Sequence, residues 1–111
     1  QINLIHTSNI EVDETNKIKV NYSTLLNADD TIRDNSSLML LNMLTKLSPT
    51  KVFIAGMDGY TVSNTNYYQE RLVMKHDSER VLTLNEAISK RLSQLCTQLY
   101  IEFITPTLYM K

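Results

Sequence analysis

The sequence predicts a single α/β domain with a mostly parallel sheet of about four strands and helices on its faces, on three observations. Short β-branched runs and two helical periods follow one another in the order strand, strand, helix, strand, helix, strand. The run Lys51-Val52-Phe53-Ile54-Ala55 is a continuous, mainly apolar stretch with almost no alternation, the pattern of a parallel strand covered on both faces. The two glycines of the chain, Gly56 and Gly59, follow that run at once. A chain this sparing of glycine uses it where the backbone needs positive φ or where another group must come close.

Taken in order, residues 2 to 6 (INLIH) form a strand, and Thr7-Ser8-Asn9 end it with turn-forming residues. Ile18, Val20 and Tyr22 alternate with Lys17, Lys19 and Asn21, the period of a half-exposed edge strand. Residues 27 to 35 carry Asp29, Asp30 and Asp34 without apolar periodicity and read as a loop. A helix follows, capped by Ser36 or Ser37, with Leu38, Leu41, Met43, Leu44 and Leu47 on its apolar face and Pro49 as its stop. Met39 and Leu40 make it apolar on a second side, so it should be covered by more than one element. After the 52–55 strand, residues 61 to 82 read as an irregular excursion or a short helix. A second helix is expected from Leu84 to Leu99, with Thr83 and Glu86 at capping-box spacing and a buried stripe of Ile88, Leu92, Leu95 and Leu99. Tyr100 to Ile104 is the last strand, closed by Thr105-Pro106-Thr107.

Composition narrows the class. At 111 residues, 42% hydrophobic and 21% charged, the chain lies among ordinary globular domains. A formal net charge of -1 supplies no basic footprint, so nucleic acid is not an expected partner. Cys96 is the only cysteine, which rules out an internal disulfide and suits a reducing compartment, so a cytoplasmic location is expected. No apolar run approaches the ~18 residues of a membrane span, and no membrane partner is expected. A chain that opens on Gln1 and enters a strand directly reads as part of a longer protein.

In parallel sheets, ligands bind beyond the carboxyl ends of the strands. Three polar exits therefore mark the expected site: His6-Thr7-Ser8-Asn9, Gly56-Met57-Asp58-Gly59-Tyr60 and Thr105-Pro106-Thr107. The Asp34-Asn35-Ser36-Ser37 helix start should lie at the same edge, where its free N–H groups suit a phosphate or carboxylate. Asp58 can accept bonds from sugar hydroxyls or close an Asx turn in its own loop, and the two readings weigh about equally. His76, in a polar loop, can act as a general base or simply face solvent. His6 ends an apolar strand and reads as a satisfied, partly buried histidine, and Cys96 reads as a core thiol. Tyr67 and Tyr68 can stack on a ring or pack on the domain's own surface. Two histidines so far apart set no metal spacing, and neither a metal ligand set nor a cofactor is expected.

From Asn35 to Tyr60 the run NSSLMLLNMLTKLSPTKVFIAGMDGY, with the closing TPTLY, resembles a C-terminal Rossmann-like domain. That domain is fused behind aldolases of the HMG-CoA-lyase-like barrel class, the 4-hydroxy-2-oxovalerate aldolase type. More distantly, the run is similar to bacterial CMP-sugar-dependent sialyltransferases, which carry a Gly-x-Asp-Phe-Tyr motif and a loop histidine as base. The resemblance implies a three-layer Rossmann-like fold and the C-terminal half of a larger unit, inactive by itself. Its partners would be the aldolase barrel of the parent chain and a nucleotide-sugar or keto-acid ligand, with no cofactor of its own. On the same basis Ser36 and Ser37 would lie near the nucleotide, Gly56, Asp58 and Tyr60 would line the sugar-nucleotide pocket, and His76 would be the base. Ser8, Asn9, Gly59, Thr105 and Thr107 complete the expected ligand-binding set as neighbours in the strand exits. This sequence departs from the transferase pattern at Gly59, where those enzymes carry an aromatic residue, and at Ser36-Ser37, where they carry Ser-Gly. A lyase parent with an accessory domain, a glycosyltransferase half, and a structural module supporting a homo-oligomer are the three functional readings.

Overall fold

The computed structural model describes residues 4–13, 15–61 and 78–110. Its elements are β1 (Leu4–Thr7), β2 (Lys17–Val20), α1 (Ser36–Leu47), β3 (Val52–Ile54), α2 (Ser78–Leu95) and β4 (Ile101–Phe103). Two single turns of 3₁₀ helix, Tyr22–Thr24 and Asp30–Ile32, lie between β2 and α1. The chain is thus α/β with parallel strand pairing. Among the described residues the strands form two separate parallel pairs, β1 with β2 and β3 with β4, instead of one sheet of four.

Helix α1 begins one residue before the expected caps. Asn35 holds the extended cap conformation and its Oδ1 accepts from the Leu38 N–H at 3.0 Å, so Ser36 and Ser37 become first-turn residues. At the other end Ser48 takes a left-handed conformation (φ 50°) and its N–H returns to Leu44, after which Pro49 cannot continue the helix. Helix α2 starts at Ser78, earlier than the Thr83 signature suggests, and Thr83 sits inside it with its hydroxyl donating back to the Glu79 carbonyl at 3.0 Å. The helix stops at Leu95, yet Leu99 stays buried because its N–H bonds the Leu95 carbonyl at 2.8 Å.

The core is built from both helices and one face of the β3–β4 pair. Leu38 and Leu41 of α1, Ile88, Leu92 and Leu95 of α2, Ile54 of β3, and Ile32, Leu99 and Tyr109 from the connections form one buried cluster. The expected α2 stripe is therefore the one that packs. Strand β3 is not covered on both faces: Ile54 is buried while Phe53 is 59% exposed. Helix residues meet Ile54, and on the outer face of the pair Lys51 lies over the rings of Phe53 and Tyr100, at 5.3 and 4.7 Å, and 3.5 Å from Glu102. Cys96 is exposed instead of buried, because the stripe 88, 92, 95, 99 turns position 96 away from the core. No helix among the described residues is long and apolar enough to cross a membrane.

Candidate functional site: a cavity between the first strand pair and the first helix

Parallel pairing puts the carboxyl ends of β1 and β2 at one edge, and the chain fixes that edge with its own polar groups. The Ser8 N–H donates to the Val20 carbonyl at 2.8 Å, and the Ser8 hydroxyl accepts from the Tyr22 N–H at 2.9 Å. Asn21 and Asp29 then cap the two 3₁₀ turns through their side chains. Asp30 and Arg33 pair across the second turn.

The 25–33 segment is held to α1 by a buried amide network. Asn42 Nδ2 donates to the Leu25 carbonyl at 2.8 Å and to Asn27 Oδ1 at 3.0 Å, and Asn27 Nδ2 donates to the Ile32 carbonyl at 2.9 Å. Arg91 of α2 closes the network by donating from Nη2 to Asn42 Oδ1 at 2.8 Å. Nothing in the sequence analysis singled out these asparagines. Their only sequence signal is a polar residue, Asn42, in the middle of an otherwise apolar helix.

With the segment so fixed, a cavity of about 570 Å³ opens between β1, β2 and α1. Ile10, Val20, Leu25, Met39, Leu40 and Met43 give it apolar walls, and His6, Asn9, Asp34 and Ser36 are polar residues of its lining. The second apolar side of α1, Met39 and Leu40, thus faces this space, which is why the helix is apolar beyond its core stripe. His6 is 6% exposed. Its Nδ1 lies 3.1 Å from the Thr7 carbonyl; a carbonyl only accepts, so Nδ1 is the donor of this contact. Its Nε2 is buried with no partner among the described residues, so His6 is only half satisfied there, where the sequence suggests a satisfied histidine.

The exits of β3 and β4 form a second polar group, and there the loops satisfy each other. The Gly56 N–H donates to Thr105 Oγ1 at 2.8 Å, the Leu108 N–H to the Asp58 carbonyl at 2.8 Å, and the Tyr109 N–H to Thr107 Oγ1 at 3.2 Å. Asn85 of α2 brackets the Tyr60 backbone, accepting from its N–H at 3.1 Å and donating to its carbonyl at 2.8 Å. Both glycines have positive φ, 81° at Gly56 and 109° at Gly59. The Asp58 residue is exposed.

The expected site residues therefore fall into two groups. Asn9 and Ser36 line the cavity, Ser8 braces its floor through Tyr22, and Ser37 is an exposed first-turn residue outside the lining. Gly56, Asp58, Gly59, Tyr60, Thr105 and Thr107 belong to the β3–β4 exit, and none of them lines the cavity. His76, Tyr67 and Tyr68 lie outside the described residues. Among the described residues no cluster of three or more His, Cys, Asp or Glu is placed to hold a metal.

Tyr109 joins this second group to the core. Burial, followed by the nearby Tyr60 and Asp58, holds its phenol neutral well above the ordinary tyrosine range. The folded state therefore resists ionising a group that the unfolded chain ionises near pH ~10. The stability this group contributes is complete below that pH and is lost as pH rises further, by about 1.4 kcal/mol per unit. Urea melts at pH 9 to 11 should show that loss in the wild type and a shallower one in Tyr109→Phe.

No family model, curated protein or solved structure matches this chain.

Proposed function

We propose that this chain is an accessory ligand-binding domain of an aldolase-type parent protein, with the cavity between β1, β2 and α1 as its binding site. The observation that carries the reading is the cavity itself. Small-molecule sites are concave, of about 300 to 1,000 Å³, mostly apolar and supplied with a few placed polar groups. This one has about 570 Å³, walls of Ile, Leu, Val and Met, and Asn9, Asp34 and Ser36 in its polar lining. The aldolase-type parent rests on the AGMDGY and TPTLY resemblance, which also puts nucleotide sugars and keto acids among the ligands to try beside neutral nucleosides and sugars. The lone Cys96 suits the cytoplasm as the setting. In this reading the two parallel pairs belong to a three-layer, Rossmann-like sheet completed within a larger unit. Phe53 of the second pair, Ile104 just after it and Ile18 of the first are exposed apolar positions that such a larger unit would cover.

Leu40 tests the site because it lines the cavity yet is 54% exposed, so a larger side chain there can fill the space without entering the core. A thermal-shift panel of nucleosides, nucleotide sugars, sugars and keto acids is expected to yield at least one saturable stabiliser. At a ligand concentration of 100 times Kd the gain is about 2.7 kcal/mol. Leu40→Trp should remove that gain while leaving the ligand-free melting point close to wild type. A panel in which nothing stabilises the wild type, or in which Leu40→Trp binds as well, would overturn the reading.

A further inference from the structure

We infer that the cavity selects an uncharged ligand that combines an apolar or ring portion with hydroxyl or N–H donors, and discriminates against the phosphorylated or carboxylated form of the same molecule. The inference rests on the proposed binding site and names what that site would take. The start of α1 by itself would favour an anion, since its first N–H groups and the positive end of the helix point out of the turn. Asp34, the residue before the Asn35 cap, sets a carboxylate at that end and is part of the cavity lining. Among the described residues the lining holds no lysine or arginine to offset a second negative charge.

The polar groups of the lining can take donors. The Asp34 carboxylate is an acceptor in the lining, and Thr7, Asn9, Tyr22 and Ser36 can serve in either sense. Around them Met39 and Met43 present flexible thioethers that conform to a flat ring or a short chain. A neutral nucleoside, a sugar or a hydroxyketone has this combination; a nucleotide or a keto acid adds a charge that the cavity does not balance.

Matched pairs test this on the 111-residue chain: cytidine against CMP, galactose against galactose 1-phosphate, and hydroxyacetone against pyruvate, each followed by amide shifts at residues 6–10, 34–36 and 39–43. The neutral member of at least one pair is expected to bind about tenfold or more tighter than its anionic partner. Asp34→Lys, at an exposed position, should reverse that order. Anionic members that bind as tightly as the neutral ones at the same amides, or an Asp34→Lys variant with unchanged preference, would overturn the inference and leave the binding site standing. Absence of cavity shifts with all six probes would instead overturn the site on which it rests.

Discussion

Gly59→Ala is expected to destabilise the domain by about 2 to 5 kcal/mol, the sum of a left-handed backbone forced on an L residue and a core-like overpacking clash. At φ 109° the backbone is outside what a Cβ tolerates easily, and an added Cβ would stand 2.9 Å from Leu108 Cβ. That neighbour cannot retreat, because a Cβ moves only with its backbone and the Leu108 N–H is tied to the Asp58 carbonyl at 2.8 Å. Gly56 provides the control. Its φ is 81°, but a Cβ there meets nothing within 4 Å, so Gly56→Ala should cost only about 1 to 2 kcal/mol of backbone strain. Urea denaturation of the two variants side by side checks the contrast, and equal losses would show that the Gly59 to Leu108 approach is not what fixes the loop.

Asn42→Leu is expected to cost about 2 to 4 kcal/mol, because it leaves buried partners unpaired, each worth roughly 1 to 3 kcal/mol. The Leu25 carbonyl and Asn27 Oδ1 lose their donor, and Arg91 Nη2 loses its acceptor. Asn27 and Asn42 are both buried, so water does not readily replace the missing bonds. The effect should reach the cavity. Residues 25–33 lead from the β2 edge to the Asp34 and Asn35 start of α1, and loosening them moves one wall of the site. Denaturation melts should show the loss, and faster hydrogen exchange should appear first at Asn27, Ile32 and Asn35, whose N–H groups hold this segment.

What could be read from the sequence was what depends on local pattern. The α2 stripe at Ile88, Leu92, Leu95 and Leu99 is the buried one, since helical periodicity and burial express the same geometry. The glycine pair marks two positive-φ positions, whereas the second apolar side of α1 is covered only at Met39, Leu40 being 54% exposed at the cavity. Features set by distant parts of the chain were not legible. Any of Asn35, Ser36 and Ser37 makes a good helix cap, and only the backbone path from Ile32 decides for Asn35, whose N–H bonds the Ile32 carbonyl at 3.1 Å. The Thr83 and Glu86 signature is a short-range signal that a longer helix from Ser78 overrides. Strand pairing is nonlocal as well: the apolar run at β3 gives no sign that both helices meet the Ile54 side and leave Phe53 outward.

The site divides along the same line. Polar exits were legible as candidates because turn residues follow apolar runs. Their separation into one group that lines a cavity and another that satisfies itself depends on which strands pair. His6 shows the limit most clearly, because a histidine ending a strand gives no sign in sequence of which nitrogen finds a partner.

The measurement that bears most directly on the cavity as the binding site is amide-shift mapping of the labelled chain with whichever compound stabilises it in the thermal panel. Saturating shifts confined to His6 to Ile10, Asp34 to Ser36 and Met39 to Met43, and abolished in Leu40→Trp, are the expected result. Shifts that map instead to Gly56 to Tyr60 and Thr105 to Tyr109 would contradict it and move the site to the β3–β4 exit.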